Sequence, residues 1–355
     1  MQSIERLFVS TILFLAASAC GGGTPETQDP SDVSDGQGAG GYLATGADPR
    51  ALLGEPCIAV LRVNVAQLRQ SPYWAEVTGW LQRGAPLGGD IERKILDGLG
   101  RTESFWMSIV ETEHGSTDLG AIVIQGDYRQ GEVFELMRQI VARTGERGFE
   151  EVEVRGHPAL RKRDVALIEI DPRTYVLGPT ERLERALAPG GGEPVALFSS
   201  PAFRELADRI GFDRRAGAFV AVPNEQSRGR LGSDLEIPRS AREDFRAAAV
   251  AGDAQSGVTI DMVLRMSAPE AAEAVRAELR GEMDEVMREP MARAMGVAGL
   301  LESISLTTEG NDTVGRLSIP DSQTRDLLGR FGNFVVLALQ AEASERPSPP
   351  GPIVE

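Results

Sequence analysis

Apolar and polar positions divide the chain into four stretches. Leu7–Ala17 (LFVSTILFLAA) is apolar almost without a break. From Gly21 to about Arg50 the chain is Gly, Ser, Thr, Asp and Pro with little to bury, which predicts a flexible linker. From Gly54 to Gln340 apolar residues return at strand and helix periods. Ala341–Glu355 (AEASERPSPPGPIVE) is Pro-rich and predicts a disordered tail.

Within the foldable region, strands are predicted at Cys57–Leu61, Ser104–Val110, Gly120–Gln125, Thr174–Leu177, Gly217–Val222 and Gly257–Met266. Phe149–Val154 and Asp164–Ile170 read as the arms of one hairpin, with Gly156-His157-Pro158 in the turn. Ser303–Thr308 and Thr313–Ile319 read as another, turning at Glu309–Asp312. Helices are predicted over Gln130–Arg143, Thr180–Ala188, a long stretch opening at Ser267, and Ser322–Gln340. Ser267-Ala268-Pro269-Glu270 fits a capping box, and Pro290 is placed to break the long helix.

One motif occurs twice. Ser71-Pro72-Tyr73-Trp74-Ala75-Glu76-Val77 and Ser200-Pro201-Ala202-Phe203-Arg204-Glu205-Leu206 both read S-P-x-aromatic-x-E-aliphatic. Each offers a Ser at the N-cap and a Pro at the first helical position. With strands and helices following each copy, the expectation is an α+β chain of two similar halves. Each half would be an antiparallel sheet with helices packed on one face. The segmentation is 1–19 signal peptide, 20–53 linker, 54–198 first half, 199–340 second half and 341–355 tail. Whether the halves share one sheet stays open in the sequence.

The N-terminal run of 11 apolar residues is short for a bilayer span and fits a signal-peptide core. It ends Ala17-Ser18-Ala19-Cys20-Gly21, which resembles the lipobox of bacterial lipoproteins, with Ala17 where Leu is usual. The resemblance covers about 20 residues. It implies cleavage before Cys20, acylation (palmitate) of that cysteine, and a membrane anchor in the cell envelope. Gly21 in place of the Asp that marks inner-membrane retention implies the outer membrane.

Charge narrows the partners. With 37 basic and 53 acidic residues the formal net charge is -16, which disfavours nucleic acid. The chain contains no G-x-S-x-G, H-E-x-x-H, C-x-x-C or G-x-x-x-x-G-K-S/T motif. Two His and two Cys leave little for a metal cluster, so neither cofactor nor metal is expected. His114 sits in a polar stretch (ETEHGSTD) that reads as a turn between strands, and His157 as an exposed turn residue. Cys57 reads as a buried inert thiol. Met283, Met287, Met291 and Met295 recur every four residues and read as packing or an adaptable partner surface. Arg155, Arg161, Lys162 and Arg163 make one hairpin basic and are the candidate partner contact, for lipid headgroups or an acidic protein. Glu225–Arg242 is a long polar loop.

The expectation is therefore a membrane-tethered envelope lipoprotein that binds or scaffolds and is not an enzyme. A lipid or apolar-ligand carrier and a carboxylate-dependent hydrolase are the alternatives. An apolar groove open to solvent would favour the carrier. A deep cleft with two carboxylates would favour the hydrolase.

Overall fold

The strand-like runs join edge to edge into a single sheet. The computed structural model describes residues 47–329, apart from 77, 80–88, 113–115, 145–147, 189–192, 236, 291–292 and 294–296. The strands are β1 (Cys57–Asn64), β2 (Thr102–Glu111), β3 (Thr117–Gly126), β4 (Glu150–Val154), β5 (His157–Lys162), β6 (Val165–Asp171), β7 (Thr174–Pro179), β8 (Gly217–Ala221), β9 (Phe245–Asp253), β10 (Val258–Met266), β11 (Ile304–Glu309) and β12 (Asp312–Ile319). The helices are α1 (Val65–Arg69), α2 (Gly89–Arg101), α3 (Glu132–Thr144), α4 (Thr180–Ala186), α5 (Pro201–Ile210), α6 (Arg228–Asp234), α7 (Pro269–Arg288) and α8 (Val297–Glu302). Residues 321–329 are also helical. The sheet runs β11-β12-β10-β9-β8-β1-β2-β3-β7-β6-β5-β4, and every pairing is antiparallel. The chain is thus α+β with one large antiparallel sheet. The two stretches expected as halves meet at the β1–β8 pair.

Successive strand residues point to opposite faces, so the core clusters show which helices cover which face. On one face, Val60, Trp106, Val123, Val176, Val220 and Ala249 pack with Leu183 of α4 and Phe203, Leu206 and Ile210 of α5. We call this the Trp106 face. On the other, Ala59, Ala221, Ala248 and Leu264 pack with Leu231 of α6 and Ala272 and Val275 of α7. Leu160, Leu167 and Tyr175 pack there with Phe134 of α3. We call this the Met107 face. Helices packed on one face only was the expectation, and the structure corrects it. Strands such as β2, apolar at Phe105, Trp106 and Met107 in succession, have two faces to bury.

The Trp106 face is sealed. The segment before β1 crosses it, held where Ser108 Oγ donates to the Leu53 carbonyl and accepts from the Ala121 amide at 2.9 Å. A side chain at Gly120 would collide with Ser108, Val110 and the Leu53 carbonyl, so glycine permits this close crossing. Arg62, 6% exposed, lies 5.6 Å from the Trp106 ring centroid and donates to the Phe212 and Arg215 carbonyls at 3.1 and 3.2 Å. Helix α5 is pinned by charge. Arg265 of β10 donates to both Asp312 carboxylate oxygens at 2.8 and 2.9 Å and to Glu205, while Arg209 reaches Asp312 at 2.6 Å. The hydrogen bonds from Arg265 to Asp312 and Glu205 raise its pKa above the ordinary arginine value.

Several local expectations change. The two S-P copies do not occupy corresponding places: Ser71-Pro72 follows β1, whereas Ser200-Pro201 precedes β8. Ser200 caps α5 as its sequence predicts, accepting from the Phe203 amide at 3.0 Å. Ser267 does not cap α7. Its hydroxyl donates to Asp244, and Ala268 is the N-cap. Helix α7 ends at Arg288 ahead of Pro290. Phe149–Val154 and Asp164–Ile170 are not partners, because β5 lies between β4 and β6. The tight turns fall at Arg155-Gly156 and Arg163-Asp164, with Arg155 and Arg163 at φ 52° and 60°. Pro158 survives within β5 because it pairs only with Glu153, and pairing to β6 begins at Ala159. Strand β9 (FRAAAVAGD) was not expected; its alanines carry no strand signal of their own.

Candidate functional site

The sheet centre differs between its two faces. Met262, Val250, Phe219, Leu61 and Met107 occupy directly paired positions on β10, β9, β8, β1 and β2. All five are half-buried, although each is large and apolar. The row continues through Ile122, Leu177, Leu167 and Leu160 on β3, β7, β6 and β5, where α3 covers it. Beside the central row stand Phe105, Ile109 and Ile260, also half-buried. None of these side chains is ionisable. One side of this band meets the buried cluster of Val63, Ala216 and, from α1, Val65 and Leu68, against which Leu61, Phe105 and Trp74 pack. The other meets α6 and α7, whose cluster touches Ile109, Phe219 and Met262. The result is an apolar strip between helical walls on the Met107 face.

A second paired row runs next to it: Phe105, Val63, Gly217, Gly252 and Ile260. Its middle is two glycines. Gly217 is buried, and among the described residues a Cβ placed on it meets nothing within 4 Å. At Gly252 a Cβ would make only ordinary contacts, with the Thr259 carbonyl at 3.5 Å and Ile260 Cγ1 at 3.8 Å. The pair presents no side chain between Val63, Ile260 and the Phe219–Val250 ridge, and among the described residues this leaves a shallow recess. At Gly315, by contrast, the side chains of Met262 and Leu306 already fill the space.

Comparison with known proteins adds a likeness of shape. The chain matches no known protein family and no curated protein. Among solved structures it is similar to the treponemal protein TP0453. Crystal form III aligns with a TM-score of 0.47 at 10% identity, covering 81% of this chain and 99% of that one. Crystal form I aligns with a TM-score of 0.44 at 12% identity, covering 83% and 98%.

The residues singled out in the sequence scatter over this fold. Arg155 and the Arg161–Arg163 group sit at opposite ends of β5, about 20 Å apart by the rise of a strand. They do not form one patch. Arg161 is held by Glu150 at 2.9 Å. His157 opens β5 and is half-buried, not an exposed turn residue. Cys57 is buried as expected, with Sγ 3.4 Å from the Ala59 carbonyl. Burial, with help from the Glu55 charge, pushes its thiol up to about 12. Met283 and Met287 are half-buried on α7. The supposed loop Glu225–Arg242 contains α6 and a short turn of helix at Arg239–Ala241. Cys20, His114, Met291, Met295, the C-terminal part of the final helix and the tail lie outside the described residues.

Among the described residues no helix is long and apolar enough to cross a membrane. No group of three or more His, Cys, Asp and Glu side chains among them is placed to hold a metal. The strip's signal was present in the sequence: β2 is apolar at consecutive positions, which demands cover on both faces. What could not be read was that, among the described residues, the middle of one face stays half-buried.

Proposed function

We propose that this chain is an envelope lipoprotein, acylated at Cys20 and tethered to the outer membrane, whose folded body binds an apolar ligand and is not an enzyme. The observation that carries this reading is the row Met262–Val250–Phe219–Leu61–Met107. Large apolar side chains left half-buried forgo roughly 25 cal/mol for each Å² that stays in water. A row of them at the centre of a sheet is a binding surface in waiting. This favours the carrier over a plain scaffold.

The tether suits that role. The described body begins at Ala47, whose amide donates to Asp171 at 3.1 Å and whose carbonyl accepts from Gln125 at 3.0 Å. The linker expected from composition, Gly21 to about Arg50, corresponds to a root-mean-square reach of about 30 Å. The body could then meet the membrane surface without entering it. The strand order outward from the β1–β8 pair also supports the duplicated-halves reading better than the S-P motif does. It is β1-β2-β3-β7-β6 on one side and β8-β9-β10-β12-β11 on the other.

The test is native mass spectrometry of the full-length protein, gently extracted from its own membranes. A diacyl or triacyl mass on Cys20 together with a non-covalent small apolar molecule is the expected result. A chain starting at Cys20 without acyl mass would remove the anchor. An acylated chain that never carries or accepts an apolar molecule would remove the carrier.

A further inference from the structure

We propose that the apolar strip takes a single-chain lipid, with the end of its acyl chain seated in the recess over Gly217 and Gly252. This rests on the apolar-ligand reading above and names the ligand's chemistry.

Three features of the strip select a linear chain. The first is shape. The half-buried row from Met262 to Met107 crosses five adjacent strands and spans about 19 Å at the usual strand spacing. It is one side chain wide on β1, β8 and β9, where its neighbours along the strands are Ala59 and Val63, Gly217 and Ala221, and Ala248 and Gly252. A long, narrow strip matches an extended hydrocarbon better than a fused-ring ligand or a helix, which need width.

The second is the recess. The Gly217–Gly252 pair leaves room for methylenes between Val63, Ile260 and the Phe219–Val250 ridge. The two methionines at the ends of the row, Met107 and Met262, have unbranched flexible side chains that can settle around whatever length of chain lies there.

The third is charge. No side chain of the strip is ionisable, so nothing in it pairs with a headgroup. The head therefore stays in water, and recognition rests on the chain. Affinity should follow chain length, since each methylene drawn out of water adds to binding in proportion to the area it buries on the half-buried strip. It should be nearly indifferent to whether the head is a carboxylate or a neutral alcohol.

The experiment titrates the full-length protein with the fluorescent fatty acid cis-parinaric acid and displaces it with palmitate, laurate and the alcohol of palmitate's length. In parallel, the ring-shaped probe anilinonaphthalene sulfonate is titrated, and mass is read by light scattering. Saturable one-to-one binding is expected. Palmitate should displace several-fold better than laurate and about as well as its alcohol. Gly217→Val places a side chain that a strand backbone accepts where, among the described residues, a Cβ meets nothing within 4 Å. It should weaken palmitate at least tenfold with the melting temperature unchanged. Phe219→Ala provides a second variant that alters the ridge without filling the recess, and should weaken palmitate as well.

If the ring probe binds and acyl chains do not, the single-chain lipid is overturned while the apolar-ligand reading stands. If palmitate binds but Gly217→Val and Phe219→Ala leave it unchanged, the placement is overturned. If only a two-chain phospholipid binds, the single-chain assignment is overturned. If nothing apolar binds and the protein is a dimer, a second copy covers the strip, and both readings fall together.

Discussion

Leu61 and Phe219 stand directly opposite each other where β1 meets β8, and both are half-buried; Val60 and Val220, paired one position along the same strands, are fully buried. The same backbone junction therefore has a fully buried side and, among the described residues, a half-buried one. Truncation should register the difference. Val220→Ala should cost about 1–3 kcal/mol, because the cavity it leaves is enclosed. Phe219→Ala removes far more volume, and would cost about 3–5 kcal/mol in a closed core. On the half-buried side it should cost under about 1.5 kcal/mol. Urea denaturation of the two variants checks the ordering. A larger loss for Phe219→Ala would mean that the Met107 face is covered in solution.

Asp312 is the hub of the charged latch on the sealed face. Its side chain is 6% exposed and takes bonds from both Arg265 and Arg209. Removing one partner of a buried ionic group leaves the others uncompensated. Asp312→Ala should cost about 3–4 kcal/mol and loosen α5, which Arg209 ties to β12. Exchange protection of the α5 amides should fall with it. Glu205→Ala, at the exposed end of the same network, should cost under about 1 kcal/mol.

A carboxylate elsewhere gives the fold a pH dependence of known sign. Glu132, at the start of α3, accepts from Arg101 Nη1 at 2.7 Å and from the Arg129 amide at 2.9 Å. The Arg101 hydrogen bond leads in lowering its pKa from 4.5 to about 2. The unfolded chain takes up this proton near 4.5 and the folded chain only near 2. The pair's stabilisation is therefore complete above pH 4.5 and drains away as pH falls toward 2. Glu132→Gln should be about 1 kcal/mol less stable than the unaltered protein at pH 6. That gap should shrink by pH 3, measured by urea midpoints at both values.

These relationships divide into what local sequence encodes and what it does not. Helix α5 was legible because Ser200, Pro201 and the spacing of Phe203, Leu206 and Ile210 all agree. The hairpin β11–β12 was legible because Gly310 and Asn311 separate two alternating runs. Strand β9 was not, since Ala247, Ala248 and Ala249 favour helix in isolation and become a strand only between β8 and β10. Strand β5 was hidden by Pro158, a residue that argues against a central strand until its pairing is known. The strip combines both problems. Leu61, Met107 and Phe219 are distant in sequence, and only strand order makes them neighbours. Their burial among the described residues depends on how the clusters under α1, α6 and α7 meet them.

Backbone conformation at the β5–β6 turn yields a change that should stabilise. Arg163 sits at φ 60°, a region that costs a side-chain-bearing residue about 1–2 kcal/mol. Arg163→Gly relieves that cost but adds freedom to the unfolded chain worth roughly 0.5–1 kcal/mol. A net gain of about 0.5 kcal/mol is expected, seen as a higher urea midpoint at unchanged slope. Gly156→Ala, at φ 85° in the neighbouring turn, should do the opposite.

Cys57 reports on the sealed side of the sheet. Its thiol is buried at the start of β1, beside the Leu52–Leu53 segment that crosses the Trp106 face. Burial lifts its pKa to about 12, so at pH 8 almost none is the reactive thiolate. A maleimide or disulfide reagent should modify the folded protein only as fast as that segment opens. Urea should release the full rate. Replacing Ser108 with Ala removes the hydroxyl that ties the Leu53 carbonyl to the Ala121 amide, leaving two buried backbone groups unpaired. The segment should then open more often, and Cys57 labelling should accelerate at least tenfold below the global unfolding transition. Equal labelling rates in Ser108→Ala and the unaltered protein would show that Cys57 is exposed only by global unfolding, and that the crossing segment opens with the whole sheet.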